Sequence, residues 1–148
     1  MRLRPFEPAD DADLISWLRT PEELHLFTGP RLEFPLTPQQ LDEIRADAAI
    51  SPFTATDDGA VVGHIELVST GEGVARIARV LVDPARQGRG LGELLLRAVL
   101  DEARERGIRT LTLRVIPTNA RAIALYEKLG FAFTGEEEGA RTMALEQP

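Results

Sequence analysis

The sequence predicts an α/β (α+β) domain on a mixed, mostly antiparallel sheet, with one parallel β-α-β crossover at about residues 74–116. Three observations carry this. Apolar residues alternate in short runs in some segments and recur at helical spacing in others. Asp57-Asp58-Gly59 is a hairpin signal between two β-rich runs. A strand at Val74–Val82, a long amphipathic helix and a strand at 109–116 then follow in the order that makes the two strands parallel neighbours. At 148 residues the chain has the size of one domain, taken as 1–148.

Each element has a local cause. Arg2–Phe6 reads as a short strand, with Leu3 between arginines. Pro8–Arg19 reads as an amphipathic helix with Ala12, Ile15 and Leu18 on one stripe and acids in its first turn. A shorter helix at Pro21–Phe27 ends at Gly29-Pro30. Thr37-Pro38-Gln39-Gln40 has capping-box spacing with proline at the first helical position, which predicts a helix from Pro38 to about Ala49. Phe53–Thr56, Ala60–Val68 and Val74–Val82 form a three-strand meander, with Gly71 and Gly73 marking its second turn and Asp83-Pro84 stopping it. The long helix, about Gly90–Arg106, places Leu91, Leu94, Leu95, Ala98 and Val99 on a common stripe and has Gly107 as its terminator. Leu111, Leu113 and Val115 alternate with polar residues, a helix spans about Thr118–Leu129, and strands at Phe131–Gly135 and Arg141–Leu145 close the order.

Composition excludes several classes. There is no cysteine, so disulfides, thiolate metal sites and cysteine nucleophiles are out, and two histidines make a histidine-rich metal site a poor expectation. A net charge of −7 argues against nucleic acid or an anionic membrane as partner. No apolar run approaches the ~20 residues of a membrane span, and MRLRPFEPAD lacks the apolar stretch of a signal peptide, so a cytoplasmic protein is expected. The positive charge is sixteen arginines and one lysine, Lys128.

The most informative segment runs from Arg79 to Gly92: an apolar strand, a proline stop, then Gly88, Gly90 and Gly92 leading into the long helix. Glycines at such a turn leave backbone N–H groups uncovered, and the helix N-terminus adds about half a positive charge. With Arg86 and Arg89 beside it, the segment reads as a cradle for phosphate or pyrophosphate; the plainer alternative is a simple connection. A Walker loop is excluded because no Gly-Lys-Ser/Thr is present, and a dinucleotide fingerprint fails because position 93 is Glu.

Gln87-Gly-Arg-Gly90-Leu-Gly92 resembles the acyl-CoA pyrophosphate loop of the GNAT acetyltransferase superfamily. Twenty-seven residues after Gly92, Asn119-Ala-Arg-Ala-Ile-Ala-Leu-Tyr126-Glu-Lys-Leu-Gly-Phe131 is similar to the superfamily's second signature. The resemblance implies a GNAT-like sheet with helices on both faces. It implies acetyl-CoA as cosubstrate, no metal, and acetyl transfer to a primary amine of a small molecule or protein N-terminus by direct attack. In the family the strand end at Val80, Leu81 and Val82 splays from its parallel neighbour and pairs with the pantetheine arm. Gln87, Gly88, Arg89, Gly90, Leu91, Gly92 and Glu93 would hold the pyrophosphate. Asn119 would bond the pantetheine or acetyl end, its other reading being a helix N-cap. Tyr126 would return a proton to the CoA thiolate, its other reading being a core tyrosine beside Ile123 and Leu129.

The general base is less marked. Ribosomal-protein alanine acetyltransferases carry a Glu five residues before the motif Asn, where this chain has Arg114, which cannot accept a proton. Glu66 and His64 share one strand face and would serve through water, or are ordinary half-exposed strand residues. For the acceptor, Asp10, Asp11, Asp13, Glu22, Glu23, Glu33 and Glu136-Glu137-Glu138 would attract a cationic amine or form a solubilising surface. Arg114 and Arg31 offer the opposite, a pair for an acceptor carboxylate. Trp17 and Phe27 read either as core of the helical layer or as a wall of the site. Family members often dimerise, so a homodimer is open. The competing function is a non-catalytic acyl-CoA-binding sensor or structural module of the same fold.

Overall fold

A computed structural model of the chain describes residues 1–28 and 31–148; the Gly29-Pro30 helix stop lies outside the described residues. The elements run β1 (Arg2–Pro5), a 3-10 turn (Pro8–Asp10), α1 (Asp11–Trp17), α2 (Pro21–Thr28), α3 (Pro38–Ala46), β2 (Ile50–Asp57), β3 (Ala60–Gly71) and β4 (Val74–Val82). A second 3-10 turn (Pro84–Arg86) precedes α4 (Leu91–Glu105), β5 (Thr110–Val115), α5 (Ala120–Lys128), β6 (Ala132–Glu137) and β7 (Ala140–Glu146). The seven strands form one sheet in the order β1-β2-β3-β4-β5-β7-β6, in which only β4 and β5 are parallel. No helix among the described residues is long and apolar enough to cross a membrane.

Turn chemistry sets the hairpins. Asp58 and Gly59, at φ +49° and +81°, make the two-residue β2–β3 loop, and Glu138 and Gly139, at +51° and +82°, do the same between β6 and β7. α3 begins as its sequence predicts, with the Thr37 hydroxyl accepting from the Gln40 amide at 3.3 Å. Only half of the capping box forms, because the Gln40 side chain instead bonds the Glu33 amide and carbonyl at 2.9 and 3.1 Å. α3 stops at Ala46 rather than Ala49, where the Asp47 carboxylate caps the Ala49 amide at 2.9 Å and its carbonyl accepts from Ile50.

Two apolar cores lie on opposite faces of the sheet. Phe53, Ala55, Ile65, Leu67, Ala75, Ile77, Leu111, Leu113 and Met143 face α4 and α5. α4 buries Leu95, Leu96, Val99, Leu100 and Ala103, a stripe turned from the expected one, so Leu94 is exposed. Each buried leucine contributes about 1.5–3 kcal/mol. At Gly63 α4 packs tightly on the meander: a Cβ there would lie 3.0 Å from the Leu81 carbonyl oxygen and 3.3 Å from Leu95. The other face carries Phe6, Leu14, Trp17, Leu18, Leu24, Phe27, Leu36, Leu41 and Ile44, the core of the α1–α3 layer. In α1 the expected stripe is corrected: Ala12 is exposed and Ile15 half-buried, while Leu14 and Trp17 point inward. The 3-10 turn at Pro8–Asp10 shifts the helical phase.

Candidate active site

The parallel pairing of β4 and β5 is brief. It spans Val74–Arg76 against Thr110–Thr112, and beyond it the two strands part. The cause lies on the other side of β4. Its register with β3 moves from Glu66↔Ala78 to His64↔Leu81, so Arg79 and Val80 together oppose Ile65 in a bulge. Arg79 sits there at φ +48°, a left-handed conformation that a non-glycine residue adopts at a cost of roughly 1–2 kcal/mol. Its guanidinium holds the bulge in place: Nη1 donates to Glu66 Oε1 at 2.6 Å and Nε to Thr28 Oγ1 at 3.0 Å. Glu66 is completely buried, and its second oxygen accepts from His64 Nε2 at 2.7 Å. The His64 ring stands edge-on to Phe6 and Phe27, with centroids 4.8 and 5.8 Å away. His64 and Glu66 do share one face, but they are interior rather than half-exposed, and both Glu66 oxygens are occupied.

Bending at the bulge leaves half-buried Val80, Leu81 and Val82 on a strand that has no β5 partner. The gap leads into the glycine loop. Asp83 caps the turn at Pro84–Arg86, its carboxylate accepting from the Ala85 amide at 3.0 Å. Gln87 is extended; Gly88 and Gly90 take φ +80° and +76°. α4 makes its first helical bond from the Leu94 amide to the Gly90 carbonyl at 3.3 Å. The amides of Leu91, Gly92 and Glu93 therefore precede the helical ladder and point out of its N-terminus. A Cβ at Gly88 or Gly90 would meet nothing within 4 Å, and one at Gly92 would meet only Leu125 Cδ2 at 3.9 Å. Gly92 has no positive φ. Neither backbone nor packing requires glycine there, which leaves room for a group approaching from outside. Gln87 and Arg89 are exposed beside the loop. The Glu93 carboxylate turns aside to Lys128 Nζ at 2.7 Å and Arg97 Nε at 3.0 Å, and these bonds, Lys128 first, hold its carboxyl below the usual range.

Across the gap, Asn119 caps α5, its Oδ1 accepting from the Ala122 amide at 3.2 Å. The N-cap reading is thus met, and the exposed side-chain NH2 has no protein partner among the described residues. Tyr126 packs edge-on against Phe131 at 6.0 Å, and burial pushes its phenol above the ordinary value. It belongs to the margin of the core, and its hydroxyl has no hydrogen-bond partner among the described residues.

Three of the nine acids expected as an acceptor lure, Asp10, Asp11 and Glu137, are engaged by arginines of the scaffold. Asp10 takes both Arg4 Nη atoms at 2.8 Å, the Thr54 hydroxyl at 2.7 Å and the Glu7 amide at 2.9 Å. Burial works against this carboxylate, and those donors, Arg4 foremost, overcome it and hold its carboxyl below the usual range. Asp11 is bound by Arg45 at 2.7 and 3.0 Å, and Glu137 by Arg114 at 2.8 Å. Asp13, Glu22, Glu33, Glu136 and Glu138 are exposed or nearly so. Trp17 and Phe27 are core of the helical layer.

Arg79 is the residue that reading the sequence missed. Its signal was present: Ala75 and Ile77 face the α4 core, so strict alternation would send Arg79 there too. A charge at a core-facing register implies an inserted residue.

The Acetyltransferase (GNAT) family model matches residues 12–131. The chain is 53% identical over 57 residues to the ribosomal protein bS18 alanine N-acetyltransferase of Salmonella typhimurium, a stretch covering 38% of each protein. It is 37% identical over 134 residues to the mycothiol acetyltransferase of Nocardia farcinica, covering 84% of this chain and 43% of that one. The matched stretches thus cover 38% and 43% of these curated relatives' own lengths. The fold is also that of the PaiA N-acetyltransferase of Thermoplasma acidophilum in complex with coenzyme A, with a TM-score of 0.77, 20% identity and 98% of each chain covered.

Proposed function

Because this chain belongs to the GNAT acetyltransferase family, we propose that it transfers an acetyl group from acetyl-CoA to a primary amine by direct attack. The observation that carries the reading is the β4–β5 gap ending at the glycine-rich N-terminus of α4. A pantetheine arm entering the gap would find unpaired β4 backbone at Val80–Val82. The pyrophosphate would lie against the amides of Gly88 to Glu93, with Gln87 and Arg89 alongside. The glycines leave space there, and the helix terminus favours the negative charge. Glu93 contributes its amide only, since its carboxylate is taken by Lys128 and Arg97.

The neutral amine attacks the thioester carbonyl, a C–N bond forms, and the C–S bond breaks. Tyr126 donates its phenolic proton to the leaving thiolate; a phenol is protonated at neutral pH, and burial pushes this one further up. The ammonium proton leaves to water, and water returns a proton to the Tyr126 phenolate, which closes the cycle. The Asn119 NH2 would bond the arm while its Oδ1 caps α5. Glu66, with both oxygens engaged, supports the site by fixing Arg79 and His64 and thereby the bend of β4.

Thermal unfolding and calorimetry with acetyl-CoA, CoA and ATP test the cosubstrate. A ligand at a hundredfold excess over Kd stabilises by about 2.7 kcal/mol, or roughly 5–10 °C for a chain of this size. The expected result is stabilisation by acetyl-CoA and CoA but not ATP, followed by thiol release with an amine panel. Tyr126→Phe should lower kcat at least tenfold while leaving the acetyl-CoA Kd within twofold. Binding without thiol release for any amine would instead favour the non-catalytic acyl-CoA module, and no response at millimolar acetyl-CoA would overturn both readings.

A further inference from the structure

The gap opens on the sheet face opposite α4 and α5, and that face is arginine-lined. Arg76 stands on the last paired rung, opposite Thr112, where β4 and β5 separate. Its side chain lies on the same face as Arg114, two residues further along β5, and within electrostatic reach of Arg31 and Arg79. Two of these cations are matched, Arg79 by Glu66 at 2.6 Å and Arg114 by Glu137 at 2.8 Å. Arg76 is half-buried and, like exposed Arg31, has no carboxylate partner among the described residues. Four guanidiniums therefore share two carboxylates, inside a protein of net charge −7. Burial first, then repulsion from Arg114, Arg31 and Arg79, weakens the hold of Arg76 on its proton, and Glu137 opposes them. A half-buried guanidinium among like charges is unfavourable unless an anion completes it. Around it the face is polar and half-open: Thr112 on β5 and Thr142 on β7, whose hydroxyl bonds Thr134 at 2.9 Å.

We propose that Arg76, with Arg31, is the specificity determinant of an acceptor that carries an oxyanion, a carboxylate or phosphate, together with its primary amine. This deepens, and rests on, the acetyltransferase reading. The anion would dock on Arg76 at the mouth of the gap while the amine reaches the thioester inside it. The polyamine-like acceptor suggested by the acidic composition is disfavoured, because its cations would meet guanidiniums here.

The test compares matched amines in thiol release: β-alanine with β-alaninamide, O-phosphoethanolamine with ethanolamine, and spermidine as a polycation. In the wild type the anionic member of each pair should show at least a tenfold higher kcat/KM, the scale of one charge-assisted arginine–carboxylate bond. Between the pairs, the arms tell carboxylate from phosphate. Arg76→Gln should raise KM for the anionic amine about tenfold and bring the ratio towards one, with the acetyl-CoA Kd unchanged; Arg76→Lys should restore part of the preference. Equal use of both members, preference for spermidine, or an unchanged ratio in Arg76→Gln would overturn the proposal. A second readout needs no acetyl-CoA: millimolar β-alanine or O-phosphoethanolamine should raise the Tm of the wild type more than that of Arg76→Gln. If acetyl-CoA does not bind, the acetyltransferase reading fails, and this Tm difference alone decides whether Arg76 receives an oxyanion. Equal shifts in the two proteins would reject that as well.

Discussion

Replacing Gly92 with alanine separates what the fold needs at this position from what a bound pyrophosphate needs. The residue lies in the first turn of α4 without a positive φ, and an added Cβ meets only Leu125 Cδ2, at 3.9 Å. The free protein should therefore gain the helix-propensity difference, about 0.5–1 kcal/mol. For a chain of this size that is a rise in Tm of roughly 1–4 °C. In the proposed complex the same methyl would stand among the amides of Leu91, Gly92 and Glu93. Pushing a phosphate oxygen out of reach of one such donor forfeits about 1.5–3 kcal/mol, ten- to over a hundredfold in Kd. Scanning calorimetry without ligand and titration with acetyl-CoA read the two effects separately. Gly88 and Gly90 cannot separate them, because at φ +80° and +76° any side chain strains the backbone itself. A Gly92→Ala protein that is more stable and binds acetyl-CoA with unchanged Kd would refute the cradle at this residue. One that is less stable would refute the steric argument.

Three further outcomes are expected. Gly63→Ala should destabilise by about 1–3 kcal/mol in urea unfolding, because its methyl would press on the Leu81 carbonyl and Leu95; a loss under 0.5 kcal/mol would show that β3 and β4 yield freely. Glu66→Gln leaves Arg79 buried without its counter-charge and should cost about 3–5 kcal/mol, lowering the urea midpoint and loosening the bulge; a midpoint within error of the wild type would remove Glu66 from the scaffold. The Asp10 carboxyl titrates lower when folded than when unfolded, so its stabilisation is complete above about pH 4 and is lost as pH falls through the lower folded value. Asp10→Asn should flatten that acid limb of the stability profile, and an unchanged limb would assign it to other carboxylates.

Features written in local chemistry were legible in the sequence. The hairpin at Asp58-Gly59, the Thr37 cap, the terminator Gly107 at φ +78° and the glycine loop all depend on residues within a few positions of one another. Features made by distant partners were not. Asp10 and Asp11 read as surface acids because nothing nearby announces that Arg4 and Arg45, the latter 34 residues away, turn them inward. The α1 stripe was misphased because a 3-10 turn, indistinguishable in pattern from a first helical turn, precedes the helix. His64 and Glu66 could be put on one face by alternation, but their burial depends on Phe6, Phe27 and Arg79. In the proposed site the turn conformation was legible where glycines set it, at Gly88 and Gly90, and the charges at Arg76 and Arg79 were not.

A sheet joined at its middle by three parallel rungs is, in its hydrogen-bond ladders, two sheets over one shared core. The four strands from β1 to β4 and the three from β5 to β6 each close their own antiparallel ladders, and the seam between them is the short pairing of Val74–Arg76 with Thr110–Thr112. Before any ligand arrives, the β4 amides past Arg76 that point away from β3 should be among the first in the sheet to exchange with deuterium. A molecule lying along that seam would act as a missing strand, supplying the hydrogen bonds that β4 and β5 cease to exchange and slowing the exchange of those amides.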